Sequence, residues 1–329
     1  MVHSQRDQSK DQLRKIKPSC PTVRQLRILV HGPVGAGKSS FTNSIDSIFQ
    51  GRMMAGAAVE SANADGSFTK RFQILNINDG QHESFLPFAF CDTMGLENEP
   101  EKGVVAEDLV KVLKGHIRDG YMFNPTKSCS DKDQGYNSYP TLADRIHCMI
   151  CVIPSTTISM MEDDIIKKMR SVRAKAADMR VPQVVVLTKI DMACQNVAKD
   201  LQLVYKSKTI RKRMEECSNR LGVPLNCIFP IKNYHEEIAL KNDVDVLLLS
   251  AMNFILNFAN DHLAAASRDG LDFGPRMSLA RDLSSMEHSS SSMEHDVNFR
   301  SQAPSGGDTG NRSDSSKRQS ASFPVVPRP

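Results

Sequence analysis

One stretch of eight residues constrains this 329-residue chain more than any other feature. Residues 32–39 read Gly-Pro-Val-Gly-Ala-Gly-Lys-Ser, which fits the pattern GxxxxGK[ST], between an apolar run and a helix-like stretch. Glycines there let the backbone curl until several N–H groups point inward, where the helix N-terminus adds positive potential. The segment predicts a phosphate-binding loop. The residues expected to hold the phosphates are Gly35, Ala36, Gly37, Lys38, Ser39 and Ser40, with the Ser39 hydroxyl also ligating Mg²⁺.

A second motif follows an apolar run that ends 53 residues after the loop lysine. Residues 92–95 read Asp-Thr-Met-Gly, the pattern DxxG. An aspartate at the carboxyl end of a strand can hold Mg²⁺ through water, and a glycine N–H can meet a γ-phosphate. We therefore expect Asp92 to bind the metal and Gly95 to respond to the nucleotide state.

A third motif distinguishes guanine from adenine. Residues 188–191 read Thr-Lys-Ile-Asp after an apolar run, which is a TKxD form of the guanine-specificity pattern. Asp191 can accept hydrogen bonds from the guanine N1–H and 2-amino groups, whereas adenine would leave this carboxylate unpaired. Lys189 can lay its stem along the base. Thr188 stands where asparagine is usual and offers fewer hydrogen bonds. The order of the three motifs predicts GTP with Mg²⁺ as the ligand.

Two further positions are expected beside the nucleotide. The loop after the sixth apolar run carries Lys232 and Asn233, and we predict that it contacts the base. The alternative, the dipeptide at 250–251, falls inside an apolar helical run and reads as core. Between residues 50 and 72, Thr69 is the only threonine and the candidate for binding Mg²⁺ and the γ-phosphate, with Ser61 and Ser67 as competitors.

Strand-like and helix-like patterns alternate from residue 25 to about 265. Alternation of this kind implies a mostly parallel sheet covered by helices on both faces. The expected fold class is α/β, a P-loop NTPase of the Ras-like G-domain type with a six-stranded sheet. We predict one G domain over residues 23–266, preceded by a disordered basic arm over 1–22. Residues 267–329 contain 15 serines and no apolar periodicity, which predicts a disordered tail.

Composition narrows the function classes further. No apolar run approaches the ~18 residues of a membrane helix, and the first residues lack a hydrophobic signal core. The eight scattered cysteines read as reduced thiols, so we expect a cytoplasmic protein. Cys148 and Cys151 form a CxxC, but strand alternation would point them to opposite faces. Aromatic residues are not interleaved with basic ones, so we expect no nucleic-acid binding.

The order of four stretches, GPVGAGKS, CDTMGLE, LTKID and IFPIKNY, closely resembles the interferon-induced protein 44 family over residues 25–265. The resemblance implies a cytosolic, interferon-inducible protein with a GTPase-like domain that is associated with antiviral defence. Longer relatives carry an N-terminal TLDc domain, and this chain looks like the version without it. Together with the predicted GTP site, we therefore expect a nucleotide-dependent switch or assembly factor in innate antiviral defence, and the antiviral part is what the resemblance implies.

Two residues predict slow intrinsic GTP hydrolysis. Ras-like proteins orient the attacking water with a glutamine after DxxG, and here Leu96 takes that position. Val34 stands where those proteins usually have glycine and would crowd the water. The segment over residues 96–145 is long enough to couple nucleotide state to a homodimer or a protein effector, and the alternative is a surface insertion without such a role. The alternatives are an ATPase or kinase, and a scaffold that binds no nucleotide.

Overall fold

Six strands form a single sheet at the centre of the protein. The computed structural model describes residues 4–54, 70–80, 84–97 and 103–270. The strands, in chain order, are β1 (Leu26–His31), β2 (Gln73–Asn78), β3 (Phe85–Asp92), β4 (Cys148–Pro154), β5 (Gln183–Thr188) and β6 (Ile228–Pro230). Their spatial order is β2-β3-β1-β4-β5-β6, and only β2 runs antiparallel to its neighbour. This confirms the predicted α/β class with a six-stranded, mostly parallel sheet.

Eight α-helices surround the sheet within the described residues. They are α1 (Gln5–Arg14), α2 (Lys38–Gln50), α3 (Ala106–Leu113), α4 (Asp163–Asp178), α5 (Ile190–Ala193), α6 (Gln195–Lys199), α7 (Lys208–Leu221) and α8 (Asn242–Arg268). A 3₁₀ turn at Leu201–Lys206 separates α6 from α7. The last helix begins at Asn242, directly after a loop over residues 232–241.

Both faces of the sheet are buried, as expected for parallel strands with continuous apolar runs. Alternate residues of β1, β4 and β5 enter two separate cores. One core lies under α1, α2 and α8, and the other lies under α3, α4 and α7. Cys148 belongs to the first core and Cys151 to the second, so the CxxC spans the sheet and its thiols do not face each other.

The N-terminal segment contradicts the prediction of a disordered arm over residues 1–22. Residues 5–14 form α1, whose first turn is capped by Ser4 through a hydrogen bond from the Asp7 N–H. Leu13 is fully buried in the first core. The sequence misled us because α1 carries few apolar residues. Its docking depends on polar side chains whose partners lie far away in the chain.

Residues 103–145 lie against the outer edge of β2. Phe72 N–H donates to the Tyr121 carbonyl at 2.8 Å, and the Asp119 carboxylate accepts from the Ile74 N–H at 2.8 Å. Buried side chains of α3, including Leu109 and Val112, join the second core. This segment therefore covers part of a sheet edge. Of the predicted serine-rich tail over 267–329, residues 271–329 lie outside the described part of the chain.

Candidate nucleotide-binding site

The predicted phosphate loop connects the central strand β1 to α2. Gly35 and Gly37 have φ values of 72° and 92°, a backbone conformation that favours glycine. A Cβ atom at position 37 would also lie only 3.1 Å from Asn233 Nδ2. No side chain caps the start of α2, and its first turn contains no acidic residue. The loop therefore leaves the positive end of α2 open to an anion, as the motif predicts.

The Lys38 side chain folds back on the phosphate loop and contacts its backbone carbonyls. Its ammonium donates to the Gly32 carbonyl at 3.2 Å and to the Pro33 carbonyl at 3.0 Å. Burial lowers the pKa of Lys38, while the negative charge of Asp92 acts in the opposite direction. The side chain is thus held by two carbonyls at the place where a triphosphate would supply stronger, charged acceptors.

Two side chains from the base side hold the loop carbonyls. Thr188 is fully buried, and its hydroxyl lies 2.7 Å from the Ala36 carbonyl and 3.3 Å from that of Ile153. Asn233 Nδ2 donates to the Gly37 carbonyl at 3.1 Å. Both residues therefore position the phosphate loop, and a direct contact of either with the base stays a prediction.

The TKxD segment turns sharply at Lys189. This residue adopts φ 58°, which is uncommon for a residue other than glycine. Ser155, which sequence reasoning missed, holds the turn: its hydroxyl donates to the Lys189 carbonyl at 2.9 Å, and its N–H donates to the Thr188 carbonyl at 2.8 Å. The turn places Asp191 in the first helical turn of α5.

Lys232 joins the two predicted base-side segments. Its ammonium lies 3.9 Å from Asp191 Oδ2 and donates to Glu237 Oε1 at 2.6 Å. Burial alone would raise the pKa of Glu237, but the hydrogen bonds from Lys232 and from backbone N–H groups outweigh it and lower this pKa to about 2. Glu237 therefore stays ionised and fixes Lys232 beside the predicted guanine-binding carboxylate.

The DxxG segment is hydrogen-bonded to the phosphate loop. The Leu96 N–H donates to the Gly32 carbonyl at 3.0 Å, and the Val34 N–H donates to the Leu96 carbonyl at 3.4 Å. A Cβ atom on Gly95 would lie 2.6 Å from Val34 Cγ2, so only glycine allows this approach. The Asp92 carboxylate is buried and accepts from the Thr93 N–H at 2.9 Å. Asp92 and Gly95 therefore lie next to the phosphate loop, and their contact with Mg²⁺ and the γ-phosphate stays a prediction.

The residues of the phosphate loop and Asp92 fit a magnesium site. Mg²⁺ in nucleotide complexes needs only one or two protein ligands, because phosphates and water complete its shell. A hydroxyl at Ser39 and a carboxylate at Asp92 meet that need, and Asp92 acts electrostatically on the neighbouring Lys38. Among the described residues there is no cluster of three or more His, Cys, Asp or Glu for a separate metal. Thr69 lies outside the described residues.

Sequence reasoning also missed the residues that anchor the 232–241 loop. The Tyr234 N–H donates to Ser44 Oγ of α2 at 2.9 Å, and its hydroxyl donates to Asp245 Oδ1 of α8 at 2.6 Å. Asp245 is fully buried and forms an ion pair with Arg6 of α1 at 2.9 Å. The only available signal was an aspartate on the apolar face of a helix. Ala251 is buried, which agrees with the dipeptide at 250–251 being core.

Comparison with curated proteins identifies relatives of this chain. It is 37% identical to human interferon-induced protein 44 over 251 residues, which are 76% of this chain and 56% of the relative. It is 35% identical to human interferon-induced protein 44-like over 252 residues, which are 76% of this chain and 55% of that relative. Over this region the chain belongs to the interferon-induced protein 44 family. It is 31% identical to the mouse interferon-induced protein 44 over 251 residues, with 76% and 58% covered.

The chain thus spans a little over half the length of the curated relatives it matches. No protein-family profile matches it. Among solved structures it is similar to Toc33 from Arabidopsis thaliana in complex with Mg²⁺ and GMPPNP, with a TM-score of 0.42, 14% identity and 78% of this chain and 91% of that chain covered. It is also similar to a probable GTP-binding protein engB, with a TM-score of 0.40 and 12% identity. That match covers 71% of this chain and 99% of the engB chain. No helix among the described residues is long and apolar enough to span a membrane.

Proposed function

We propose that this protein binds GTP with Mg²⁺ and acts as a nucleotide-dependent switch or assembly factor. The observation that carries the proposal is the convergence of the TKxD segment and the 232–241 loop on the phosphate loop. Thr188 and Asn233 hydrogen-bond to consecutive carbonyls of the phosphate loop, and Lys232 bridges Asp191 and Glu237. An anion site and a carboxylate suited to guanine are thereby built as one unit.

The bound nucleotide would use these residues in distinct roles. Loop N–H groups and Lys38 would bind the phosphates, and the Mg²⁺ held by Ser39 and Asp92 would neutralise the phosphate charge. Asp191 would accept from guanine, with Lys189 along the base. A γ-phosphate would meet the Gly95 N–H in the segment that is hydrogen-bonded to the loop, so GTP and GDP would differ in their effect on residues 95–97.

Slow hydrolysis is part of the proposal. Leu96 is 1% exposed and packs in the second core, so it cannot orient water in the site. Val34 lies over Gly95 beside the expected γ-phosphate position. A homodimer or an effector docking on residues 96–145 would then supply the missing group. The interferon-induced relatives support a role in innate antiviral defence, and eight free cysteines support a cytoplasmic setting.

The test is equilibrium binding of GTP, GDP and ATP with Mg²⁺ to the full chain. We expect preference for guanine nucleotides, with loss of all binding in Lys38→Ala and loss of the guanine preference in Asp191→Ala. Asp164→Ala is the matched control, because Asp164 is exposed and pairs with Lys167 in its own helix. At a nucleotide concentration of 100 times Kd, binding should raise the unfolding free energy by about 2.7 kcal/mol.

Two outcomes would contradict the proposal. ATP binding that is insensitive to Asp191→Ala would indicate an ATPase or kinase. A melting temperature that no nucleotide changes would indicate a scaffold on a G fold. Neither alternative has a specific observation in its favour, whereas the Asp191–Lys232 proximity favours the guanine site.

A further inference from the structure

The N-terminal helix α1 contacts both helices that flank the first core next to the candidate site. Its Lys10 ammonium donates to the Ile48 carbonyl at 2.7 Å, in the last turn of the phosphate-loop helix α2. Lys10 and Arg14 also lie over the Phe49 ring, at 5.7 and 5.6 Å from its centroid. At its other end α1 places Arg6 against Asp245 of α8. α1 therefore belongs to the folded domain and holds α2 and α8 together.

Asp245 is the centre of a buried polar cluster. Its carboxylate is fully buried, with Arg6 Nε at 2.9 Å on one oxygen and the Tyr234 hydroxyl at 2.6 Å on the other. The same Tyr234 hydroxyl accepts from the Lys241 N–H at 2.7 Å. A buried carboxylate is costly unless a cation and hydrogen bonds compensate it. Burial raises the pKa of Asp245, and the hydrogen bond from Tyr234 and the positive charges of Arg6 and Lys10 act in the opposite direction. Arg6 therefore stabilises the charged form of the carboxylate that holds Tyr234.

Tyr234 connects this buried cluster to the phosphate-loop region. Its N–H is fixed to Ser44 in α2, and the residue before it, Asn233, donates to the Gly37 carbonyl. Burial and the hydrogen bond to Asp245 raise the pKa of Tyr234 far above its usual value, so its hydroxyl remains a donor at every physiological pH. The loop that carries Lys232 and Asn233 is thereby attached to the phosphate loop through Asn233 and to Asp245 of α8 through Tyr234, and Asp245 in turn contacts Arg6 of α1.

We propose that Arg6, in the first turn of α1, is a positioning residue for the nucleotide site, acting through Asp245 and Tyr234 on the 232–241 loop. The inference rests on the proposed guanine-nucleotide function, because it assigns that site a regulator that touches no nucleotide. Any event that lifts α1 from α8, such as a partner that binds this helix, would then weaken nucleotide binding. Coupling between distinct sites in proteins commonly changes affinity by about 5- to 150-fold.

The experiment compares two charge-removing variants of the same helix in the full chain. Arg6→Gln removes the cation on Asp245. Arg14→Gln is the matched control, since Arg14 pairs with Asp79 at 2.5 Å beyond β2, away from the 232–241 loop. Two quantities are measured: the Kd for GDP with Mg²⁺, and amide hydrogen exchange of residues 232–241 without nucleotide.

We expect Arg6→Gln to weaken GDP binding by about tenfold and to speed exchange in residues 232–241, with both effects small in Arg14→Gln. The double variant Arg6→Gln/Asp245→Asn should recover much of the affinity, because a neutral amide oxygen can still accept from Tyr234. Equal effects of Arg6→Gln and Arg14→Gln, or none from Arg6→Gln, would overturn the inference. If the unaltered chain binds no guanine nucleotide, the proposed function fails, and the exchange data still decide whether Arg6 holds the loop.

Discussion

At the scale of single residues, the site depends on buried polar groups with few partners. Thr188 stands where the sequence pattern usually has asparagine, and its one hydroxyl serves two backbone carbonyls. His31 immediately precedes the phosphate loop and is fully buried, and neither ring nitrogen has a hydrogen-bond partner among the described residues. Small chemical changes at these two positions should therefore have measurable effects.

Replacing Thr188 by valine keeps the shape of the side chain and removes its donor. We expect the unfolding free energy to fall by about 1–2 kcal/mol, because the buried Ala36 carbonyl loses its short hydrogen bond. Urea unfolding of the full chain measures this change. Thr157→Val, at an exposed threonine near the same sheet edge, should leave stability within about 0.5 kcal/mol. Equal effects of the two variants would show that the hydroxyl of Thr188 is unimportant.

Lowering the pH should decrease the free energy of unfolding, because His31 is buried in its neutral form. Burial lowers the pKa of His31 to about 3, compared with about 6.5 in an unfolded chain. Between these values the unfolded state binds more protons, so the contribution of neutral His31 is complete above pH 6.5 and is lost as the pH falls. When the pH falls from 7 to 5, we expect the free energy of unfolding to decrease by about 2 kcal/mol.

Chemical unfolding at several pH values tests this with two variants. His31→Leu should remove about that part of the pH dependence, while Thr157→Val, which removes no titratable group, should not. An unchanged pH slope in His31→Leu would contradict the assignment. His147, whose pKa burial lowers to about 4, should cause a further loss of the same sign.

At the scale of elements, the segment after β3 differs from Ras-like proteins in where the side chain that follows DxxG points. Leu96 bonds to the phosphate loop through its backbone, while its side chain enters the second core. The Lys168 ammonium of α4 donates to the next carbonyl, that of Glu97, at 2.6 Å. The geometry thus fixes the main chain of residues 96–97 and directs side chain 96 away from the site.

This arrangement predicts that a glutamine at position 96 would not restore fast hydrolysis. Leu96→Gln should lower the unfolding free energy by about 2–4 kcal/mol, because an amide would be buried in an apolar core. Single-turnover GTP hydrolysis should stay as slow as in the unaltered chain. Leu96→Met, which keeps the apolar volume, is the control and should cost less than about 1.5 kcal/mol. A marked acceleration by glutamine would mean that side chain 96 reaches the nucleotide.

At the scale of the whole molecule, the cysteines report on the integrity of the fold. All eight are free, and six of them are buried, whereas Cys194 and Cys227 are partly exposed. Hydrogen bonds from Ser207 and from backbone N–H groups lower the pKa of Cys194, while burial raises that of Cys227. Reactivity follows the thiolate, so the thiols should divide into distinct classes.

Labelling of the native chain with a thiol reagent should therefore modify Cys194 first and Cys227 next. The other six should react only after unfolding, at rates that follow global or local opening. Cys194→Ser is the control and should remove the fastest phase. Reductant should leave the melting temperature unchanged. A stable disulfide, or fast reaction at Cys148 or Cys151, would contradict the burial of these two thiols on opposite faces of the sheet.

The sequence by itself determined the features that depend on short-range pattern. The phosphate loop, the six strands and the burial of Cys148 and Cys151 on opposite faces follow from residue types at fixed spacing, which set backbone conformation and side-chain alternation. The convergence of Lys38, Asp92 and Asp191 near one sheet edge was also predictable, because the carboxyl ends of parallel strands meet there.

Only the tertiary structure decided which groups bind each other across long distances in the chain. Arg6 pairs with Asp245, Ser155 holds Lys189, and Asn233 reaches Gly37, with the partners of Arg6 and Asn233 about 200 residues away or more. No local propensity encodes such pairs, since their free energy arises from desolvation and geometry that exist only in the folded protein. For that reason α1 read as a disordered arm in the sequence, although the fold makes it part of the domain.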